Sequence, residues 1–123
     1  MDCLFCKIIK REIPSYTIYE DDVVKVFLDI NPDSNGHVLI IPKEHTLDFL
    51  SISDVTLQHI NMVAKIIIPK LMNLLNANGI TLVQNNGDVQ EVKHFHLHLK
   101  PYYNKKEEIK PVEEIYELLK QGF

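Results

Sequence analysis

The amino-acid sequence predicts an α+β fold, in which an antiparallel β-sheet carries its helices on one side. Stretches rich in β-branched, aromatic or alternating residues indicate five strands, at residues 16–19, 23–28, 37–41, 80–83 and 92–99. A single long stretch of helical periodicity interrupts them, at about residues 53–78. Parallel strands need a crossover connection, usually a helix, between each pair. One long helix cannot supply these crossovers, so we expect antiparallel strands and a single domain over residues 1–123.

The first half of the chain alternates apolar segments with turn signals. Apolar residues at helical spacing predict a short N-terminal helix over residues 3–9, and Pro14 limits how far it can extend. The first two strands flank the acidic residues 20–22 and are expected to form a hairpin. Turn-forming residues fill positions 31–36, and Pro42 is expected to end the third strand.

The long helix is predicted from its ends and from one apolar face. Ser53 is expected to cap its N-terminus, and Gly79 is placed to stop it. Pro69 should kink or divide the helix, because proline removes a backbone donor and clashes with the preceding turn. His59 is expected at the helix surface without a partner. The residues expected to face the core are Leu57, Ile60, Val63, Ala64, Ile67, Leu71, Leu74 and Leu75.

The C-terminal third contains the last two predicted strands and one short helix. The Asn-Asn-Gly sequence at residues 85–87 predicts a turn between the strands, and Pro101 is expected to end the second of them. Pro111 suits a helix start, and the acidic residues 113–114 suit a first helical turn, where the helix dipole favours negative charge. We therefore expect a short C-terminal helix.

The composition is that of an ordinary soluble protein, with 46% hydrophobic residues, 24% charged residues and a net charge of −4. The basic clusters Lys10-Arg11 and Lys105-Lys106 are too short to follow a phosphate backbone, so no nucleic-acid partner is expected. The longest apolar run, at residues 38–41, is far too short to span a membrane, and the N-terminus lacks a secretion signal. These observations predict a cytoplasmic protein with no membrane partner.

Histidine and a large apolar residue alternate strictly from His94 to Leu99. Successive side chains of a strand point to opposite faces, so His94, His96 and His98 are expected to share one face. One interpretation is a half-buried strand whose outer face carries polar rings, although such faces more often carry Thr, Lys or Glu. Two functional interpretations compete with it: a strand that holds a metal ion, or a strand that presents a nucleophilic imidazole.

The segment His94-Phe95-His96-Leu97-His98-Leu99 resembles the signature of the histidine triad (HIT) family of nucleotide hydrolases and transferases, His-φ-His-φ-His-φ-φ, where φ is apolar. Lys100 departs from this pattern, because it occupies the last apolar position. With its N-terminal Cys-x-x-Cys, the chain resembles bacterial-type histidine triad nucleotide-binding proteins. The resemblance covers about residues 5–99 and implies a HIT-like sheet with one long helix and short terminal helices packed on it.

The resemblance also implies a site for a purine nucleotide. The residues at family positions that hold the base and the ribose are Phe5, Ile8, Phe27, Asp29 and Ile30. Aromatic and aliphatic side chains can sandwich a purine and a carboxylate can accept hydrogen bonds from ribose, but Phe and Ile in such segments are also ordinary core residues. The residues at family positions near the sugar-phosphate are Asn85, Gly87, Gln90 and Glu91.

Catalytic roles follow from the same resemblance. It implies that His96 attacks phosphorus and forms a nucleotidyl-histidine intermediate. His98 would hydrogen-bond the phosphate oxygens, and His94 and His37 would order the site. Neutral imidazole suits this role because it is nucleophilic near its usual pKa of about 6.5.

Two further departures from the family pattern concern the leaving group. The loop over residues 85–90 is shorter than is usual in the family, and Glu91 stands where some members have a serine that contacts the leaving group. A carboxylate close to a phosphate is repulsive. The leaving group is therefore left open by the sequence.

Cys3 and Cys6 form a Cys-x-x-Cys pair, which in a reducing compartment is more often metal-binding or redox-active than part of a disulfide framework. The position of the pair before any strand argues against a thioredoxin-type site. The resemblance to bacterial-type HIT proteins implies that His45 and His94 complete a closed, structural Cys₂His₂ zinc site. The alternative is that both cysteines are small buried hydrophobic residues.

The implied activity is hydrolysis or transfer at the α-phosphate of a purine nucleotide, as in a nucleoside phosphoramidase or a dinucleoside polyphosphate hydrolase, without an organic cofactor. One alternative is a nucleotide-binding regulatory module without turnover. Another is a metalloenzyme with an open metal site on the histidine strand. A homodimer is expected, because a second apolar stripe lies beside the core stripe of the long helix; the C-terminal segment could instead cover that stripe. Its residues are Val55, Met62, Ile66 and Pro69.

Overall fold

Five antiparallel strands form a sheet in the computed structural model, which describes residues 3–123. The strands are β1 Thr17–Glu20, β2 Val24–Leu28, β3 Val38–Pro42, β4 Gly79–Gln84 and β5 Leu97–Tyr102. Their order across the sheet is β1-β2-β3-β5-β4. The helices are α1 Leu4–Ile9, α2 Asp54–Leu75 and α3 Val112–Leu119, with a short 3₁₀ turn at Gly87–Val89. The predicted α+β architecture, with its hairpin and its antiparallel pairing, is confirmed.

Helices cover both faces of the sheet, whereas the sequence led us to expect them on one. β2 and β3 are buried at every position, so each of their faces needs a cover. The larger apolar cluster joins one face to α2 and α3. On the opposite face, Phe5 and Ile8 of α1 pack against Phe27, Leu39 and Ile41. The N-terminal helix α1 therefore covers the face of the sheet on which Phe27 and Leu39 lie.

The ends of α2 confirm one prediction and correct two. The side chain of Ser53 accepts a hydrogen bond from the Thr56 amide and caps the N-terminus as expected. Pro69 does not divide the helix, because it lies on the exposed side, where water can hydrogen-bond the carbonyl that loses its partner. The helix stops at Asn76 rather than at Gly79: Asn76 adopts the left-handed conformation with φ of 56°, and Gly79 begins β4.

The buried face of α2 is close to the predicted stripe. Ile60, Val63, Ala64, Ile67 and Leu71 are buried. Leu57 and Leu75 are partly buried against the same cluster, whereas Leu74 is exposed and does not belong to the core as predicted.

β5 differs from the predicted histidine strand at both ends. It begins at Leu97 rather than at residue 92, so His94 and His96 precede the regular strand. It also continues through Pro101, which pairs with Ile80 of β4. The last pair between β5 and β3 is at Leu99, so beyond that point the strand has a neighbour only in β4 and tolerates a residue without an amide proton.

The C-terminal helix is confirmed, with Pro111 as its N-cap and with Ile115 and Leu119 buried against the α2 side of the core. Within residues 3–123, no helix has the length and apolar character that a membrane span requires.

Candidate functional site

A cleft of about 430 Å³ lies between α1, the inner strands and the histidine segment. This volume falls within the range of small-molecule binding sites. Ten of the predicted site residues line it: Phe5, Ile8, Phe27, Asp29, Ile30, His37, Asn85, Glu91, His96 and His98. Gly87 and Gln90 are not among the described residues of its wall. Gln90 is buried, and its side-chain amide donates to the backbone carbonyl of Leu47 at 2.6 Å.

One end of the cleft is apolar. Phe5 and Phe27 meet edge to face, with ring centroids 5.7 Å apart, and Ile8 packs beside them. All three side chains are buried in the smaller apolar cluster and also line the cleft. These three residues are therefore core residues, as one interpretation expected, and they also offer an apolar surface to the cleft.

His96 has one tautomer that its surroundings permit. Its Nδ1 lies 2.8 Å from the backbone carbonyl of His94, and a carbonyl only accepts, so Nδ1 must carry the proton. Nε2 is then left with a free lone pair. The His96 ring is buried, and the Phe5 ring packs edge-on to it with the ring centroids 5.0 Å apart. This burial lowers the pKa of His96. A neutral imidazole with an unprotonated Nε2 can act as a nucleophile.

His98 receives the opposite tautomer through a short relay. The backbone amide of Asp33 donates to His37 Nδ1 at 3.0 Å, so the proton of neutral His37 is on Nε2. His37 Nε2 lies 2.9 Å from His98 Nδ1 and donates to it. Nδ1 of His98 is thus an acceptor, and its Nε2 carries a proton that can be donated to a ligand.

Both rings of this relay are expected to be neutral at neutral pH. Burial lowers the pKa of His37, although the carboxylates of Asp29 and Asp33 oppose this effect. Burial, followed by unfavourable electrostatic interactions with His96, His37 and Lys100, lowers the pKa of His98 to about 4.

Cys3, Cys6, His45 and His94 place their ligand atoms within 4.8 Å of one another. Sγ of Cys3 lies 3.6 Å from Nδ1 of His45 and 3.4 Å from Nδ1 of His94. The corresponding distances from Cys6 are 3.1 and 3.6 Å. Zinc bonds of about 2.3 Å to sulfur and about 2.0–2.1 Å to nitrogen give tetrahedral edges of roughly 3.3–3.8 Å. The two sulfur atoms, 2.8 Å apart, would separate by about 1 Å on binding such an ion.

The surroundings of this cluster suit a cation. Nε2 of His94 donates to the backbone carbonyl of Pro42 at 2.8 Å, which leaves Nδ1 unprotonated and aimed at the two sulfur atoms. Burial, followed by the interaction with Cys3, raises the pKa of the Cys6 thiol, so a thiolate there needs a neighbouring positive charge. The donor set therefore fits a closed tetrahedral metal site.

A second group, Asp29, His37 and His98, also brings its ligand atoms within 4.8 Å. Binding a metal at His37 Nε2 would move the ring proton to Nδ1, where the Asp33 amide already donates. Two donors would then face each other. The open metal site considered for the histidine strand is therefore disfavoured by the hydrogen bonds, because His94 belongs to the cysteine cluster and His37 serves as a donor to His98.

The ion pairs of Lys100 and His59 were not predicted from the sequence. Nζ of Lys100 lies 2.7 Å from a carboxylate oxygen of Asp33, and both residues line the cleft. The period-two pattern could have indicated Lys100, which continues the row of His96 and His98. His59 is not without a partner as predicted: its Nε2 lies 2.7 Å from the carboxylate of Asp21, which is distant in sequence.

The fold and the histidine row define a histidine triad protein. The HIT domain family model matches residues 10–105, and the chain belongs to this family. A HIT-like protein of Borreliella burgdorferi is 43% identical over 106 residues, which cover 83% of this chain and 76% of the relative. An adenosine 5′-monophosphoramidase of Saccharomyces cerevisiae is 42% identical over 106 residues, which cover 85% of this chain and 65% of the relative.

A solved structure with the same fold carries metal. The crystal structure of a zinc-bound histidine triad family protein from Mycobacterium smegmatis superimposes with a TM-score of 0.89 and 34% identity. The match covers 98% of this chain and 92% of that chain.

Proposed function

We propose that this protein hydrolyses purine nucleotide conjugates at the α-phosphate through a nucleotidyl-histidine intermediate on His96. The observation that carries the proposal is the tautomer of His96, whose unprotonated Nε2 belongs to a buried, neutral ring on the wall of a nucleotide-sized cleft. The 42% identity with a yeast adenosine 5′-monophosphoramidase supports a phosphoramidate as substrate. A dinucleoside polyphosphate is the other substrate class with this chemistry.

In the first step, Nε2 of His96 attacks the α-phosphorus and the bond to the leaving group breaks; the leaving group takes the electron pair and a proton from solvent. In the second step, water attacks the same phosphorus and gives a proton to solvent, and the imidazole departs with the electron pair of the phosphorus–nitrogen bond, which releases the nucleoside monophosphate. The Nε2 proton of His98 would donate to a phosphate oxygen in both transition states. Fixed donors of this kind stabilise developing charge without reorganisation at the moment of reaction.

The apolar end of the cleft would hold the base between Phe5, Ile8 and Phe27, and the exposed Ile30 would border it. The carboxylate of Asp29 would accept hydrogen bonds from the ribose hydroxyls.

On the sugar-phosphate side, Asn85 lines the cleft and can donate to phosphate, whereas Glu91 would repel an anionic leaving group and so favour a neutral or cationic one. Gly87 and Gln90 would act through the shape of the neighbouring loop, since Gln90 is held by Leu47.

We propose that the metal of the Cys₂His₂ cluster is zinc and that its role is structural, with Cys3, Cys6, His45 and His94 as a closed ligand set. Zinc would join the start of α1 to the segment that follows β3 and to the segment that precedes β5. The zinc-bound relative supports this assignment.

We also propose a homodimer through α2. Val55, Met62 and Ile66 are 78%, 52% and 46% exposed, so α3 does not cover this stripe in the described residues. Exposed apolar residues that recur along one helix face indicate a protein contact. A second copy of the chain would bury the stripe, and a monomeric mass at micromolar concentration would exclude the proposal.

The decisive experiment combines a substrate panel with trapping of the intermediate. Adenosine and guanosine phosphoramidates, dinucleoside polyphosphates and adenylylated amines are assayed for monophosphate release, and quenched reactions are analysed by mass spectrometry. The expected adduct lies on His96, assigned by fragmentation of its peptide, because His94 and His98 are each only two residues away. His96→Ala should abolish turnover and keep nucleotide binding, whereas His98→Ala should keep partial activity. His59→Ala, a histidine variant outside the cleft, should retain normal turnover.

Two outcomes would contradict the proposal. An adduct on another residue, or near-normal turnover by His96→Ala, would show that His96 is not the nucleophile. Tight binding of adenosine or guanosine monophosphate with no turnover of any panel member would instead favour the nucleotide-binding regulatory module.

A further inference from the structure

Lys100 occupies the one position of the histidine signature that departs from the family pattern, and it lies inside the cleft. It follows His96 and His98 at period two along the same chain segment, so it continues their row. Among the described residues that line the cleft, Lys100 is the only lysine or arginine. Its ammonium group is 2.7 Å from the carboxylate of Asp33. The only lysine or arginine among the described cleft residues is therefore already paired with a protein carboxylate.

The partner of Lys100 is also the first member of the histidine relay. The carboxylate of Asp33 pairs with Lys100, while the backbone amide of the same residue donates to His37 Nδ1 at 3.0 Å. His37 then donates to His98 at 2.9 Å. Asp33 is in an exposed turn between β2 and β3, and its side chain is 65% exposed. The ion pair thus connects this turn to β5 next to the hydrogen bond between the Asp33 amide and His37.

We propose that Lys100 is a positioning residue that sets the tautomer of His98. The ion pair holds the Asp33 amide against His37 Nδ1, which keeps the His37 proton on Nε2 and the His98 proton on its own Nε2. This inference rests on the proposed function only for the role of the His98 proton as a donor to phosphate; the control of the tautomer does not depend on that function.

The relay has one alternative arrangement of its two protons. If the Asp33 amide moves away, Nδ1 of His37 can carry the proton, and His37 Nε2 can accept from His98 Nδ1. His98 would then present an unprotonated Nε2 to the phosphate, with its lone pair facing negative oxygen. The carboxylate of Asp29 disfavours this arrangement only weakly, because its oxygen is 3.6 Å from His37 Nε2, beyond hydrogen-bond distance. The Asp33 amide is therefore the main constraint on the pair.

The test compares Lys100→Met, Asp33→Asn, their combination and Lys100→Arg with the wild type. Nitrogen-15 NMR of the ligand-free protein reports which ring nitrogen of His37 and His98 carries the proton. Lys100→Met and Asp33→Asn should each give a mixture of the two arrangements, and Lys100→Arg should restore the wild-type one. Lys120→Met removes an equally short ion pair at the surface, 2.6 Å from Glu117, and should change neither ring.

Kinetics with adenosine 5′-monophosphoramidate provide the second readout. Loss of the pair should lower kcat about tenfold with KM nearly unchanged, a loss typical for groups that orient a reacting side chain. The double variant should be no slower than either single variant, because both substitutions break the same contact.

Three results would overturn the proposal. Wild-type tautomers in Lys100→Met would show that the pair does not control the relay. A raised KM with unchanged kcat would make Lys100 a direct phosphate ligand instead. Additive losses in the double variant would show that Lys100 and Asp33 act separately. Since the NMR readout needs no substrate, it decides the positioning role even if the wild type turns over no phosphoramidate.

Discussion

Cys6→Ser should reveal how much of the stability depends on the cysteine cluster. A metal that binds only the folded state stabilises it by about 2.7 kcal/mol when free metal is a hundredfold above Kd, and by about 4.1 kcal/mol at a thousandfold excess. Loss of one thiolate should remove most of this contribution. For a domain of this size, about 3 kcal/mol corresponds to a fall in Tm of roughly 10–15 °C.

The packing of α1 limits the damage. Phe5 and Ile8 are only 4% and 7% exposed, and burial of each such side chain is worth about 1.5–3 kcal/mol. In addition, Nζ of Lys25 donates to the backbone carbonyl of Ile8 at 3.2 Å. The helix should therefore remain on the sheet without metal, so Cys6→Ser should fold at a lower Tm rather than fail to fold.

Thermal unfolding with and without a chelator, combined with metal analysis, measures this effect. Chelated wild type should melt at the temperature of Cys6→Ser, and the chelator should not change the variant. Phe5→Ala is the matched control, because it should lose about 3–5 kcal/mol through packing and keep one metal per chain. The reasoning is refuted if Cys6→Ser melts like the wild type, or if wild type purified without chelator or affinity tag holds no metal.

Two further predictions concern stability away from the cleft. Burial tends to raise the pKa of Asp21, but the hydrogen bond with His59 and two backbone amides hold it well below its usual range. The contribution of Asp21 to stability is therefore present above its unfolded-state pKa of about 3.9 and is lost as the pH falls through its folded-state pKa. Below pH 4, the urea midpoint of the wild type should consequently decrease more steeply with falling pH than that of Asp21→Asn. Asn76 adopts the left-handed conformation, which is sterically unfavourable for alanine and not for glycine. Asn76→Ala should therefore lower the free energy of unfolding in urea by about 1 kcal/mol, whereas Asn76→Gly should not lower it.

The sequence predicted the elements well because their signals are local. Alternation and helical spacing depend on neighbours a few residues apart, and they located all five strands and three helices, with the largest error at the start of β5, which begins at Leu97 rather than at residue 92. The errors arose where a local signal had two uses. Glycine commonly ends helices, but α2 ends before Gly79 because Asn76 already adopts the left-handed conformation. Leu74 has helical spacing, yet its side of α2 is exposed.

The roles within the site could not be predicted in the same way, because they depend on contacts between distant segments. Asp33 pairs with Lys100, and Gln90 donates to Leu47, although the partners are far apart in the sequence and no periodic pattern indicates these contacts. Alternation places three histidines on one face but does not distinguish them. The tautomer of His94 is fixed by the Pro42 carbonyl and that of His98 by His37, and both partners become neighbours only in the folded chain. The tautomer of His96 is fixed by a carbonyl only two residues away, but alternation does not report where that carbonyl points.

His94 connects the metal cluster to the proposed nucleophile. Its Nδ1 faces Cys3 and Cys6, while its backbone carbonyl accepts the Nδ1 proton of His96 at 2.8 Å. The ligand that closes the cluster therefore also holds the group that keeps Nε2 of His96 unprotonated. Disorder in the cluster would reach the nucleophile through this hydrogen bond and through Phe5, whose ring contacts His96 from α1, whereas removal of the His96 ring leaves every ligand atom in place. The coupling is consequently one-sided: loss of metal should slow the chemistry to some degree, and His96→Ala should retain the metal in full.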